Sequence, residues 1–334
     1  MVQNIRWGVI GAGGIAHRRT LPVIGQVYNG SLSVVMDIRE PEKLGRLYNA
    51  DWTDSLEAAV SRDDVDAVYV ASPVHLHAEH VMAAARAGKQ VLCEKPLARS
   101  VAEARAMVEA CVESGVLLRE AYRHRYHGAH AEMQRLISEG VIGKVIFAQV
   151  HWAFLYPKME GAWRQAPELG GGGSLADVGC HALNLLEMLV GRTSRLAAVT
   201  GTLIQDYEVD DLATVLLEFE GGAQGAVTTS FCLSGNVMPT SLNVYGANGA
   251  MLAVNTLTQG TGGEASLITE PDGRRTPIQY TPVNTFAKQL ETFGDAVTAG
   301  ERTTIDEADE LVRVMKMLEG SYTSSRTGAF VRIQ

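Results

Sequence analysis

The sequence predicts an α/β domain built on a parallel sheet, followed by an α+β domain with a large, mainly antiparallel, open-faced sheet. Three observations carry this. Short apolar runs alternate with helical patterns over the first third of the chain, and those runs are continuously apolar. Beyond about residue 120, strand-like runs follow one another through short turns. Strand–helix alternation requires crossover connections and so parallel pairing. Continuously apolar strands suit a sheet covered on both faces. Strands joined by tight turns pair antiparallel.

Ile5–Ile10 is the first strand, and a helical stretch starts at about Ile15. Ser33–Met36 and Ala67–Ala71 are further strands. A helix from about His75 closes at Gly88 and leads into the strand Gln90–Cys93. In the second part, strands are expected near Val145–Ala153, Leu196–Leu203, Ala213–Phe219, Ala226–Phe231 and Leu242–Tyr245. Glu220-Gly221-Gly222 and Gly246–Gly249 serve as turns, and helices are expected over Asn284–Ala299 and Ile305–Ser321. A chain of 334 residues suggests two domains, 1–120 and 121–334, with the last helices available to pack back on the first.

Composition narrows the function classes. Hydrophobic residues make up 46% of the chain and charged residues 20%, enough apolar material for two cores. The net charge of −9 is spread without a basic stripe, which argues against a nucleic-acid partner. No apolar run reaches membrane-spanning length, and a strand begins too early to leave room for a signal peptide, so a cytoplasmic protein is expected. The four cysteines (Cys93, Cys111, Cys180, Cys232) are scattered without a CxxC pair and read as reduced, mostly buried small hydrophobes.

Gly11-Ala12-Gly13-Gly14-Ile15-Ala16 fits G-x-G-x-x-A between a strand and a helix. Gly11 permits the turn, Gly13 lets the backbone approach a pyrophosphate, and Ala16 lets helix and strand pack closely. The free N–H groups at the helix start suit phosphate, so Gly11, Gly13, Gly14 and Ile15 are expected cofactor contacts. Asp37, 26 residues beyond Gly11 at the end of the second strand, suits the adenosine ribose hydroxyls. Its charge favours NAD, with NADP possible: Arg39 either pairs with a 2′-phosphate or is a solvated loop charge.

Glu94-Lys95-Pro96 follows the Gln90–Cys93 strand, at the carboxyl edge where such sheets bind ligands. Further along, Asp177 and His181 stand four apart, which on a helix gives them one face. An imidazole suits exchange of a hydroxyl proton, and a nearby carboxylate can orient it. The same pair also fits a helix start, with Asp177 capping and His181 packed in the core. Asp177–Asn184 holds one histidine, which excludes a zinc motif of the H-E-x-x-H kind, and no metal is expected. His124, His127 and His130 recur at three-residue spacing and read as exposed histidines at a helix end.

These motifs, with Ala71-Ser72-Pro73 and His77, Gly88–Val91, Gly140–Lys144, Trp163-Arg164, Gly171–Gly173 and Asp177–His181, occur in an order that resembles the glucose-fructose oxidoreductase / inositol dehydrogenase (Gfo/Idh/MocA) family. The resemblance implies a Rossmann domain and a C-terminal sheet domain that often serves in oligomer contacts, here a homodimer or homotetramer. It implies NAD(P)-dependent hydride transfer at a secondary or anomeric hydroxyl of a sugar, inositol or similar polyol. Glu94 and Lys95 would lie at the nicotinamide, with Lys95 on the reacting hydroxyl. Ser72, Pro73 and His77 would line the cofactor cleft, and Trp163 and Arg164 would approach the cofactor. His181 would be the general acid/base and Asp177 its neighbour in the substrate site.

Val74 stands where many relatives carry Asn, which removes a polar contact near the cofactor. Asn184 stands where many carry Asp, keeping the hydrogen bonding but not the charge, which alters how a substrate hydroxyl is held. Arg125 matches a substrate-contacting position or is a surface charge. Tyr156 and Trp163 either stack on a sugar face or pack locally. Oxidoreduction of a dihydrodiol or another carbonyl compound is the alternative within the enzyme class. NAD-assisted glycoside cleavage and NAD sensing are alternatives of another class, although a sensing regulator should lack Lys95 or His181.

Overall fold

The computed structural model describes residues 4–334, which fall into two compact units. The first comprises residues up to Arg123 together with Phe286–Met315. The second comprises His124–Thr285 and Lys316–Gln334.

The first unit carries six parallel strands: β1 (Ile5–Ile10), β2 (Gly30–Met36), β3 (Asp51–Thr53), β4 (Ala67–Val70), β5 (Gln90–Cys93) and β6 (Leu118–Glu120). Their order β3-β2-β1-β4-β5-β6 reverses direction at β1, and the crevice beyond the carboxyl ends of β1 and β4 is the usual ligand position in such sheets. The four residues of β4 are all buried, as expected for a strand covered on both faces. Trp7, Tyr69 and Leu92 share one core with Leu290 and Phe293 of the helix Thr285–Thr298. The Trp7 and Phe293 rings lie 5.4 Å apart. Each fully buried side chain of this size contributes about 1.5–3 kcal/mol, which ties a helix near the end of the chain to the first sheet.

The second unit carries a nine-stranded sheet: β7 (Val145–Ala153), β8 (Thr193–Gly201), β9 (Leu212–Phe219), β10 (Gln224–Ser230), β11 (Ser241–Gly246), β12 (Gly249–Val254), β13 (Glu264–Thr269), β14 (Arg274–Pro277) and β15 (Val331–Arg332). The order is β14-β13-β12-β11-β7-β10-β9-β8-β15, antiparallel except for the parallel pair β7–β10. One face is covered by the helix Cys180–Val190, whose Cys180, Ala182, Leu183, Leu185, Leu186 and Leu189 are buried. The strands answer by alternation: in β9, Ala213, Val215, Leu217 and Phe219 are buried while Leu216 is exposed.

Three local expectations need correction. The helix expected over Ile305–Ser321 is interrupted, forming Ile305–Glu307, Ala308–Leu311 and Arg313–Thr327. Thr304 closes a capping box with Glu307 and starts the first turn separately. The eighth strand lies at Thr193–Gly201 rather than Leu196–Leu203. The histidines His124, His127 and His130 are buried, not exposed. His127 Nδ1 accepts from the Ala129 N–H at 3.2 Å, so its Nε2–H donates to the Gly262 carbonyl at 3.2 Å. His130 Nδ1–H donates to the His124 carbonyl at 2.8 Å, and its Nε2 meets the Thr256 hydroxyl at 2.8 Å. Three-residue spacing gave no warning of this burial, because the distant partners Thr256 and Gly262 come from the loop that follows β12.

Candidate active site

The phosphate turn is built by β1 and by the strand on either side of it. Gly11 adopts φ +79°, and a Cβ there would stand 2.4 Å from the Ser72 backbone nitrogen, so glycine alone fits. The Gly11 and Ala12 N–H groups donate to the Met36 carbonyl at 2.9 and 3.1 Å. Around Gly14 nothing lies within 4 Å of where a Cβ would be, which leaves open backbone of the kind a pyrophosphate needs. The chain then enters a wide helical turn, Ala16–Thr20, before the helix Leu21–Ile24, with Ala16 fully buried. Asp37 closes the turn: its Oδ2 accepts from the Gly13 N–H at 2.8 Å and its Oδ1 from the Arg39 N–H at 2.8 Å. The Arg39 side chain is exposed. Glycine turn and strand-end acid together fit a dinucleotide.

The lysine turn is locked from two sides. Glu94 is buried, and its Oε1 accepts from the Tyr69 hydroxyl while its Oε2 receives the Lys95 N–H at 3.2 Å. Burial, and then the Glu94 carboxylate, hold the Tyr69 phenol well above its usual range, so it stays a donor. Burial lowers the Arg123 guanidinium to about 10, with the Glu94 charge pulling it back up. Beyond the lysine, the Lys95–Pro96 peptide bond is cis. The Pro96 and Leu97 carbonyls both lie 3.1 Å from His77 Nδ1, and His77 Nε2 lies 2.9 Å from the Ser72 carbonyl. His77 bridges the end of β4 and the lysine turn: kept neutral by burial, it donates its one N–H to one side and packs its bare nitrogen against the carbonyl on the other. Pro73 begins the short helical turn that leads to it. Burial lowers the His77 pKa to about 4. Val74, at the position where a polar contact was expected to be missing, is buried.

The second unit gathers the other candidates into two neighbouring contacts. Arg164 lies over the Trp163 ring at 4.1 Å and pairs with Asp177, Nε to Oδ1 at 3.4 Å. Tyr156 shares this group: burial raises its pKa, Arg164 lowers it, and its ring packs 5.0 Å from Phe231. His181 is buried, stacked on Trp152 with centroids 5.7 Å apart, and met edge-on by His124 at 4.7 Å. The regular α-helical spacing expected between Asp177 and His181 does not hold, because Leu175–Gly179 is a wide turn that precedes the helix Cys180–Val190. Asn184 is half-buried on that helix, and Arg125 is exposed in the short turn Arg123–Tyr126. Sequence reasoning missed Tyr69 and Trp152 and took His124 for an exposed residue; only the buried aromatics on strands offered a signal, and an unspecific one. Among the described residues, no group of three or more His, Cys, Asp or Glu could hold a metal ion, and no helix is long and apolar enough to cross a membrane.

A dinucleotide turn followed by a strand-end lysine, with a second unit bearing a histidine and an aspartate over a mostly antiparallel sheet, defines a two-unit nicotinamide oxidoreductase. Residues 5–122 match the oxidoreductase family with an NAD-binding Rossmann fold, and residues 130–252 match the GFO/IDH/MocA C-terminal domain. The chain is 30% identical over 330 residues to D-xylose 1-dehydrogenase (NADP(+)) 2 of Haloferax volcanii, covering 98% of this chain and 99% of the relative. It is 33% identical over 304 residues to 1,5-anhydro-D-fructose reductase of Ensifer adhaerens, covering 87% and 88%. Among solved structures, aldose-aldose oxidoreductase from Caulobacter crescentus complexed with glycerol superposes with TM-score 0.90 at 26% identity, covering 99% and 100%. The chain belongs to the Gfo/Idh/MocA family and is an NAD(P)-dependent oxidoreductase.

Proposed function

We propose that the protein transfers hydride between NAD(P) and a secondary or anomeric hydroxyl carbon of a sugar, inositol or similar polyol, with Lys95 and His181 as the catalytic pair. The observation that carries this is the lysine turn. Glu94 and His77 hold it from both sides at the carboxyl edge of β5, which gives Lys95 a rigid support on the same sheet edge as the glycine turn. The relatives named above support the substrate class, since each is named for a sugar or anhydrosugar.

Bound NAD(P) supplies the hydride acceptor. In our reading, Gly14 and Ile15 hold its phosphates, while Gly11 and Gly13, whose N–H groups go to the Met36 carbonyl and to Asp37, give the backbone its close approach. Asp37 takes its ribose, and Ser72, Pro73, Glu94, Trp163 and Arg164 the remainder. The Lys95 ammonium donates to the reacting oxygen and stabilises the negative charge that develops there. His181 accepts the hydroxyl proton in oxidation and returns it in reduction. Asp177, Asn184, Tyr156 and Arg125 contact other substrate hydroxyls, and Arg164 pairs with Asp177. The Asp37 carboxylate, already fixed by two N–H groups, favours NAD over NADP, whose 2′-phosphate it repels.

Absorbance of the reduced cofactor, with NAD and NADP against aldoses, anhydrosugars, polyols and a cyclic dihydrodiol, tests the substrate class. Lys95→Ala should lower turnover by about a hundredfold or more while NADH affinity stays near wild type. Near-normal turnover in that variant sinks the assignment.

A further inference from the structure

The glycine run ahead of Asp177 and His181 is held by a carboxylate outside every motif of the sequence. Asp210 lies just before β9 and is buried. Its Oδ1 accepts from the Gly173 N–H at 2.9 Å and from the Tyr322 hydroxyl at 2.8 Å. Its Oδ2 accepts from the Ser174 hydroxyl at 2.8 Å and the Leu175 N–H at 2.9 Å. The Asp210 carbonyl receives the Ser174 N–H at 2.9 Å as well. Contact is close enough that a Cβ on Gly173 would stand 2.0 Å from that carbonyl oxygen. The glycine is therefore required by the approach of Asp210.

We propose that Asp210 is a positioning residue for His181 and Asp177, an inference that rests on their catalytic assignment. Two of its donors, the Ser174 hydroxyl and the Leu175 N–H, sit at the start of the wide turn Leu175–Gly179, which carries Asp177 and continues into the helix bearing His181. A carboxylate is the side chain this requires. Four donors converge on two oxygens, and an asparagine would turn an NH2 group toward two of them. A buried donor left facing another donor moves away, and here the moving part is the start of the catalytic helix. Tyr322, from the last helix, adds the fourth hydrogen bond and so ties the end of the chain to the same turn.

The test combines turnover with a direct view of the imidazole. Histidine ring carbons are labelled, the His181 NMR signal is assigned with His181→Asn, and spectra are compared for wild type, Asp210→Asn, Tyr322→Phe and Gly173→Ala. Positioning predicts that Asp210→Asn and Gly173→Ala shift the His181 signal and its titration midpoint. Turnover should fall about tenfold to a hundredfold, the scale of a small misplacement, with NADH affinity unchanged. Tyr322→Phe, losing one donor of four, should move the signal the same way by less. If Asp210→Asn does not fold, Tyr322→Phe and Gly173→Ala carry the comparison. A folded Asp210→Asn, or in its absence the other two variants, with the His181 signal and titration unchanged overturns the proposal. Wild-type turnover in His181→Asn overturns the catalytic assignment instead, and the NMR comparison still decides whether Asp210 positions the ring.

Discussion

Replacing the His77 strut with glutamine removes a buried titrating group, and the effect on stability has a sign and a size. Burial lowers the His77 pKa from 6.5 to about 4 in the folded protein. Between those values the unfolded chain holds a proton at this position that the folded chain refuses, so acid favours unfolding. The contribution is intact above about pH 6.5 and is lost as the pH falls toward about 4. The full displacement is worth about 3 kcal/mol, of which about 2 kcal/mol is gone by about pH 5. Urea unfolding of wild type and His77→Gln, measured at steps from about pH 7.5 to about pH 4, isolates this contribution, because the other titrating groups are common to both proteins. The stability difference between them should shrink or reverse by about 2–3 kcal/mol across that range. A difference that stays flat with pH refutes the claim that His77 is held neutral by burial. Because the same ring joins the Ser72 carbonyl to the Pro96 and Leu97 carbonyls, the variant should also lose turnover at neutral pH.

Asp37→Ser should move cofactor preference toward NADP, since it removes the charge that opposes a 2′-phosphate. The ratio of kcat/KM for the two cofactors reads this, and an unchanged ratio refutes the role of Asp37. We also propose that the open face of the nine-stranded sheet forms a homodimer or homotetramer contact. Val199 and Leu216 are exposed there, with the stacked Phe147 and Tyr245 rings on the same face. Leu216→Asp should lower the mass found by sedimentation, and a wild type that sediments as a single chain refutes the contact.

Four strands of the first sheet were legible because their signals are local, whereas β3 and β6, three residues each, were not. β1, the glycine turn and Asp37 lie within one strand–helix–strand unit, and each residue type answers to a neighbour a short way along the chain or on the adjoining strand. The lysine turn was legible for the same reason, standing directly after a continuously apolar strand. β12, β13 and β14 were not. Ala250–Val254 is a continuous apolar run, but its Ala, Met and Leu do not favour a strand over a helix, and only Met251 and Ala253 are buried. The wide turn at Leu175–Gly179 was read as a regular helix, since composition does not distinguish the two.

What the sequence by itself determined is the class, an NAD(P)-dependent oxidoreductase, from a dinucleotide turn, a strand-end acid and a lysine at a strand end. Tertiary structure alone decided how those groups are held. The Asp210 carboxylate meets Gly173 from 37 residues away and Tyr322 from 112. His77 meets Pro96 from 19, and the buried histidine His130 meets Thr256 from 126. A hydrogen bond between residues so far apart leaves no period or spacing in the chain. It exists only once burial of the two cores has brought its ends together, and it is then strong because water no longer competes for either end.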